Sequence, residues 1–213
     1  MIVSKHLHSC LLVKELQTTV LIDPGIYTYQ ENALTTDSIA KLDYILITHE
    51  HPDHMSLPFI QELIEKFPQV QIISNPSVSE ILREKHIRVH TDLSSLPADL
   101  RIQFEEVGHE KLWDKATPQN IVFQVFNKLT HPGDSHHFET ATDVLALPIQ
   151  APWGNTREAV ELALRLKPKE IIPIHDWMLK DEVRKALYIR LEDFFTKNQI
   201  IFHPLETGNA IEI

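Results

Sequence analysis

Only one cysteine, Cys10, stands in the chain. An intramolecular disulfide is therefore excluded, which suits a reducing cytosol. Basic residues are also short. Lys and Arg number 20 against 30 Asp and Glu, a formal net charge of −10. Such a surface repels phosphate backbones and anionic lipid, so broad nucleic-acid binding and membrane-surface binding are disfavoured. No run approaches the roughly 20 apolar residues that span a bilayer. The opening Met1-Ile2-Val3-Ser4-Lys5-His6 alternates polar and apolar residues and lacks the charged-then-apolar layout of a signal peptide. We find no linker, charge run, low-complexity tract or repeat of roughly 20–50 residues. These absences predict a soluble, cytoplasmic protein. What is present is a real interior: 43% of 213 residues are hydrophobic. That length suits one large domain or two small ones sharing a core, and we expect a single domain over 1–213.

Periodicity places the elements. Residues 3–7, 11–16 and 19–23 read as three short strands, the last closed by the turn Asp23-Pro24-Gly25. Residues 43–48 form a nearly continuous apolar run, as expected of a strand buried on both faces. A helix follows over 56–66, with Leu57, Ile60, Leu63 and Ile64 at helical spacing. Then come a strand at 71–74, a helix over 77–86 with Ser77 and Glu80 spaced as a capping box, and a short edge strand at Val89. The second half repeats the style. Strands are expected at 101–107, 120–126, 144–147 and 169–174, a helix after the Asn155/Glu158 capping pair, and an amphipathic helix over 181–197. Two strands, near 200–203 and 210–213, close the chain. Strand-rich stretches separated by helices in both halves predict an α/β protein: two mixed β-sheets packed face to face, with helices outside.

Thirteen histidines are present, and their positions matter more than their number. Thr48-His49-Glu50-His51-Pro52-Asp53-His54 puts four candidate ligands directly after the buried strand. Alternate residues leaving a strand project the same way, so His49 and His51 can share one metal while Asp53 and His54 face a second. Imidazole and carboxylate suit zinc, manganese or iron. The competing reading is a polar loop ahead of a helix.

The spacing H-x-H-x-D-H resembles the signature of the metallo-β-lactamase superfamily, and the resemblance extends over nearly the whole chain. It implies the αββα sandwich and a dinuclear centre. It implies that Asp23, at the end of Thr19-Val20-Leu21-Ile22, supports the metal loop. His109 looks like the third ligand of the first metal, Asp134 in His131-Pro132-Gly133-Asp134-Ser135 like the carboxylate that bridges both, and His175 after Ile171-Ile172-Pro173-Ile174 like the last ligand of the second. Each also has a plain reading: a surface loop histidine for His109, a turn aspartate for Asp134. His8 resembles a position that faces the site in some members, with a strand-edge residue as its alternative. His131 reads as an outer support of the site, a substrate contact, or a capping or surface residue. Trp153 and Trp177 lie near two of these loops, where an aromatic either lines a pocket or packs. The stretch from Leu147-Pro148-Ile149 to His175 is similar to small stand-alone members near the ascorbate-6-phosphate lactonase-like branch, from which Gln150 and Asp176-Trp177 depart.

The resemblance implies a metal-dependent hydrolase with two divalent ions, Zn2+ or Mn2+ with Fe as an option. A hydroxide held by the metals would attack a small anionic ester, lactone or phosphodiester, and Asp53 would orient the nucleophile or shuttle its proton. Two alternatives compete. One is a nuclease acting on RNA or DNA, weakened by the acidic surface and the lack of a basic arm. The other is a non-catalytic metal- or ligand-binding protein of the same fold. Retention of His51 and the lack of a flavin domain argue against a diiron flavoprotein. A small-molecule substrate and a homo-oligomer complete the expectation.

Overall fold

The computed structural model describes every residue except 95, 98, 99, 114 and 115. In chain order the elements are β1 (Ile2–Lys5), β2 (Leu11–Glu15), β3 (Thr18–Ile22), α1 (Ile26–Gln30), a 3-10 turn (Thr36–Ser38), β4 (Tyr44–Leu46), α2 (Leu57–Lys66), β5 (Gln71–Ile73), α3 (Pro76–Arg83), β6 (Val89–His90), β7 (Ile102–Glu106), β8 (Ile121–Val125), β9 (Leu129–His131), β10 (Val144–Pro148), α4 (Thr156–Leu166), β11 (Glu170–Ile174), α5 (Asp181–Lys197), β12 (Ile201–Phe202) and β13 (Ala210–Glu212).

Two mixed sheets result. The first has the order β13-β1-β2-β3-β4-β5-β6, and the second β12-β11-β10-β9-β8-β7. In the first, β1, β2, β3 and β13 pair antiparallel and β3 to β6 pair parallel. In the second, β7, β8 and β9 are antiparallel and β9 to β12 parallel. Strand alternation sorts the core into three layers. Val13, Val20 and Leu46 point between the sheets, against Phe123, Ala146 and Ile172 of the second sheet. Their neighbours Leu12, Leu21 and Ile45 face outward under Phe59, Ile60 and Leu63 of α2 and Val78 and Leu82 of α3. On the other side, Leu145, Leu147 and Ile171 lie under Ala159, Leu162 and Ala163 of α4 and Tyr188, Leu191 and Phe195 of α5. Each fully buried aliphatic side chain contributes about 1.5–3 kcal/mol. The layering is therefore helix, sheet, sheet, helix, as the patterning predicts.

The details differ in places. The helix expected from Ser77 starts earlier: Asn75 caps it, accepting from the Val78 amide at 2.9 Å, with Pro76 in the first turn. Proline has no N–H to satisfy and its φ suits a helix start, so the boundary moves toward it. Ser77 Oγ turns instead to Glu50 and to Asn75. The Asn155/Glu158 capping box forms as expected. The short α1, the 3-10 turn and three-residue β9 carry too few residues to show a period. Among the described residues, no helix is long and apolar enough to cross a membrane.

Gly25 shows how tightly the first sheet's loops are fitted. A Cβ there would lie 1.8 Å from the Asp53 carbonyl oxygen, a backbone atom that cannot turn aside. Gly25→Ala is expected to destabilise the fold by about 1–3 kcal/mol and so lower the melting temperature by several degrees. Gly108→Ala, with nothing within 4 Å of its added Cβ, should be tolerated. Equal melting of both variants in a thermal scan would contradict this packing.

Candidate metal centre

Parallel β3 and β4 end side by side, and the chain turns at each end. Asp23 leaves β3 with φ +48 and Thr48 follows β4. The Asp23 carboxylate accepts from the Thr48 amide (2.8 Å), the Thr48 hydroxyl (2.9 Å) and His54 Nδ1 (2.7 Å). Further backbone bonds, Ile26 N to Pro52 O at 2.7 Å and Ser56 N to Pro24 O at 2.9 Å, stitch the two turns together. The segment His49 to His54 is thus held from beneath by the aspartate turn. The second sheet supplies the remaining groups from the loops after β7 (His109), β9 (Asp134) and β11 (His175).

Two side-chain groups result. His49, His51, His109 and Asp134 form one; His8, Asp53, His54 and His175 form the other. Within each, one candidate ligand atom per residue lies within 4.8 Å of all the others. In the first, the three rings make a near-equilateral triangle, with centroids 4.7, 4.8 and 4.9 Å apart. Asp134 joins the groups. Its Oδ1 lies 3.0 Å from His54 Nε2 and 2.9 Å from His175 Nε2; its Oδ2 lies 3.4 Å from His109 Nε2 and 3.8 Å from His49 Nε2.

These contacts are close but are not hydrogen bonds. Nε2 of His49, His54, His109 and His175, Asp134 Oδ1 and His8 Nδ1 are all buried without a hydrogen-bond partner. Unpaired buried polar atoms are costly, and so many around one point fit the coordination of a cation. The outer nitrogens are all committed. Nδ1 of His109 donates to the Glu110 carbonyl (2.5 Å), that of His175 to the Gln150 carbonyl (3.2 Å) and that of His54 to Asp23. The Thr48 hydroxyl gives its hydrogen to Asp23, so it accepts from His49 Nδ1 at 3.0 Å. With Nδ1 turned outward to a partner in all four, every Nε2 aims inward, the arrangement that prepares imidazole for a metal once that nitrogen carries no proton. The donor set of imidazoles and carboxylates fits divalent zinc, manganese or iron.

The family model for the β-lactamase superfamily domain matches residues 3–175. The chain belongs to that superfamily. It is similar to the Mycobacterium tuberculosis protein Rv0786c, 31% identical over 211 residues and 96% of each chain. The UPF0173 protein PF0020 of Pyrococcus furiosus is 27% identical over 181 residues, 79% of this chain and 80% of its own. The solved structure of Igni18, a metallo hydrolase from Ignicoccus hospitalis, superposes with a TM-score of 0.70 at 18% identity, over 100% of this chain and 98% of that one. For this superfamily member, the sandwich agrees with the expectation from sequence.

The expected site residues divide clearly. His49, His51, Asp53, His54, His109, Asp134 and His175 all fall in the two groups, and Asp23 lies beneath them. His8 faces the site: its Nε2 is 3.1 Å from Asp53 Oδ2, and its ring centroid 3.9 Å from that of His175. His131 belongs to neither group. It is fully buried, donates from Nε2 to the Ser9 carbonyl (2.9 Å) and accepts from the Gly133 amide (3.3 Å), and so ties the Asp134 turn to the His8 turn. Two further participants hold Asp134: Trp153, which the sequence places near the site without a role, and Asn120, which has no sequence signal of its own. Trp153 Nε1 donates to Asp134 Oδ2 at 2.7 Å, and Asn120 Oδ1 accepts from the Asp134 amide at 3.1 Å. Trp153 also walls a cavity of about 360 Å³ lined by Glu110, His136, Glu158 and Arg165.

Burial sets the protonation states. It holds His49 well below the ordinary imidazole range, with His54 adding to the effect, and pushes His8 down to about 4, with His175 adding. Burial also opposes charge on Asp134, yet the His175, His54 and His49 imidazoles hold that carboxyl well below the usual range. His54 is the exception: burial disfavours its charge, but the Asp134 and Asp23 carboxylates raise it well above an ordinary histidine. A raised pKa keeps its proton at neutral pH, and an entering ion must displace that proton. Metal affinity at the second group should therefore rise with pH, by up to about tenfold per unit. Calorimetry in buffers of different ionisation enthalpy should detect about one proton released per second ion at pH 7. No release would contradict this assignment.

Proposed function

We propose that this protein is a dinuclear metal-dependent hydrolase of one domain, acting on a small anionic ester, either a lactone or a phosphodiester. Asp134 carries the reading: one carboxylate divides its two oxygens between two ligand groups. A pair of divalent ions there, when bound, supplies a nucleophile near neutral pH and polarises the oxygen under attack. The chain's own residues do the rest. His49, His51 and His109 hold one side, and His54, His175 and Asp53 the other. Trp153 fixes the orientation of the shared carboxylate. Asp53, a quarter exposed and bonded to His8, is the one carboxylate of the site open to solvent, and we assign it proton transfer to and from the reacting atoms. The ions provide local positive charge, so an anionic reacting group is accepted despite the acidic surface. The 360 Å³ cavity beyond Trp153 is lined by Glu110, Glu158 and Glu161, and its Arg165 is committed to Glu139 and two carbonyls. A neutral or donor-rich remainder of the substrate suits it better than a second anionic group. The Ignicoccus protein of the same fold is a metallo hydrolase, which agrees with this class.

The test is proton release on a panel of lactones, phosphodiesters and thioesters, with protein reconstituted separately with Zn2+ and Mn2+. Turnover of one class, falling at least about 100-fold in His51→Ala and Asp134→Ala, is expected. Turnover that survives both substitutions would refute the site. No turnover on any class, from protein holding two ions, would favour the ligand-binding alternative.

A further inference from the structure

Asp176 follows the last histidine of the site and is almost fully buried, as is Lys5. Lys5 Nζ donates to Asp176 Oδ2 at 2.7 Å and to the Tyr188 hydroxyl at 3.0 Å, and that hydroxyl donates to the same Asp176 oxygen. Stability does not explain such a cluster, because a buried ion pair gains little over apolar residues of the same volume. Its location does. Lys5 ends β1, three residues before His8, and Asp176 is bonded directly to His175. The two histidine segments also meet through the His175 amide and the His8 carbonyl at 3.2 Å. Both histidines have left-handed backbones, φ +47 at His8 and φ +63 at His175, which must be held by their surroundings. The ion pair is a side-chain tie between the first sheet and the second at this point, and Tyr188 anchors it to α5. His49, His51, His109 and Asp134 ride on other turns.

We propose that Lys5, Asp176 and Tyr188 are positioning residues for the second group: they hold the segments of His8 and His175 at the spacing an ion needs, and set that site's affinity separately from the first. The inference rests on the two-metal reading above. Metal-free full-length protein is titrated with Zn2+ against a chromophoric chelator. His51→Ala and His175→Ala backgrounds mark which equivalent belongs to which group. Asp176→Asn should weaken the second group about 10- to 100-fold, as loss of an outer partner does, and leave the first nearly unchanged. Tyr188→Phe should give a smaller shift in the same direction. The double variant Lys5→Met/Asp176→Asn strands no charge, so it should melt close to wild type and still bind the second ion weakly. Wild-type affinity at the second group in the double variant, or equal weakening of both groups, would overturn the proposal. Wild-type protein that takes up fewer than two ions would overturn the two-metal reading itself.

Discussion

The arrangement of this molecule turns on one carboxylate. Asp134 places Oδ1 between His54 and His175 and Oδ2 toward His49 and His109, with the Trp153 indole on the latter. To bring one short side chain among four imidazoles, the chain must deliver loops from both sheets to one end of the sandwich. The short turn after β9 does this: Gly133 takes φ +59, and a Cβ there would lie 2.2 Å from Asn120 Oδ1. Asn120 in turn receives the Asp134 amide and donates to the Pro132 carbonyl.

Around that carboxylate, the protein accepts local costs that the rest of the fold must sustain. Asp23, His8 and His175 all sit in the left-handed region without being glycine, each at a cost of order 1–3 kcal/mol. Several buried nitrogens have no protein partner. The three apolar layers supply the stability, and the committed outer nitrogens keep the imidazoles from collapsing onto one another. Rigid imidazole orientation is what a metal site requires, and burial keeps His8, His49 and His51 neutral and ready to bind.

Much of this was legible in the sequence because the chemistry is local there. His49, His51, Asp53 and His54 lie within six residues after a strand whose apolar run is unmistakable, and the helix, sheet, sheet, helix order follows from periodicity. The partners that are distant in sequence were harder. Asp134, His109 and His175 were reached through the order of motifs in a known superfamily; spacing alone left each with a plain alternative. Trp153 stood out only as an aromatic near a site loop, with packing as its alternative, and Asn120 gave no signal, since an amide at a strand start reads as packing. The buried Lys5–Asp176 pair joins residues 171 positions apart, and no pattern along one chain encodes such a pairing. Ser77 misled because capping spacing is common, while Pro76 decided where the helix began.

The central claim is that two ions share the Asp134 carboxylate. Crystals of the zinc-loaded protein, with anomalous data collected on both sides of the zinc absorption edge, test it most directly. Two anomalous peaks are expected, roughly 3.5–4 Å apart, one against His49, His51 and His109 and the other against His54, His175 and Asp53, with Asp134 between them. A single peak, or two peaks of which neither touches Asp134, would contradict it.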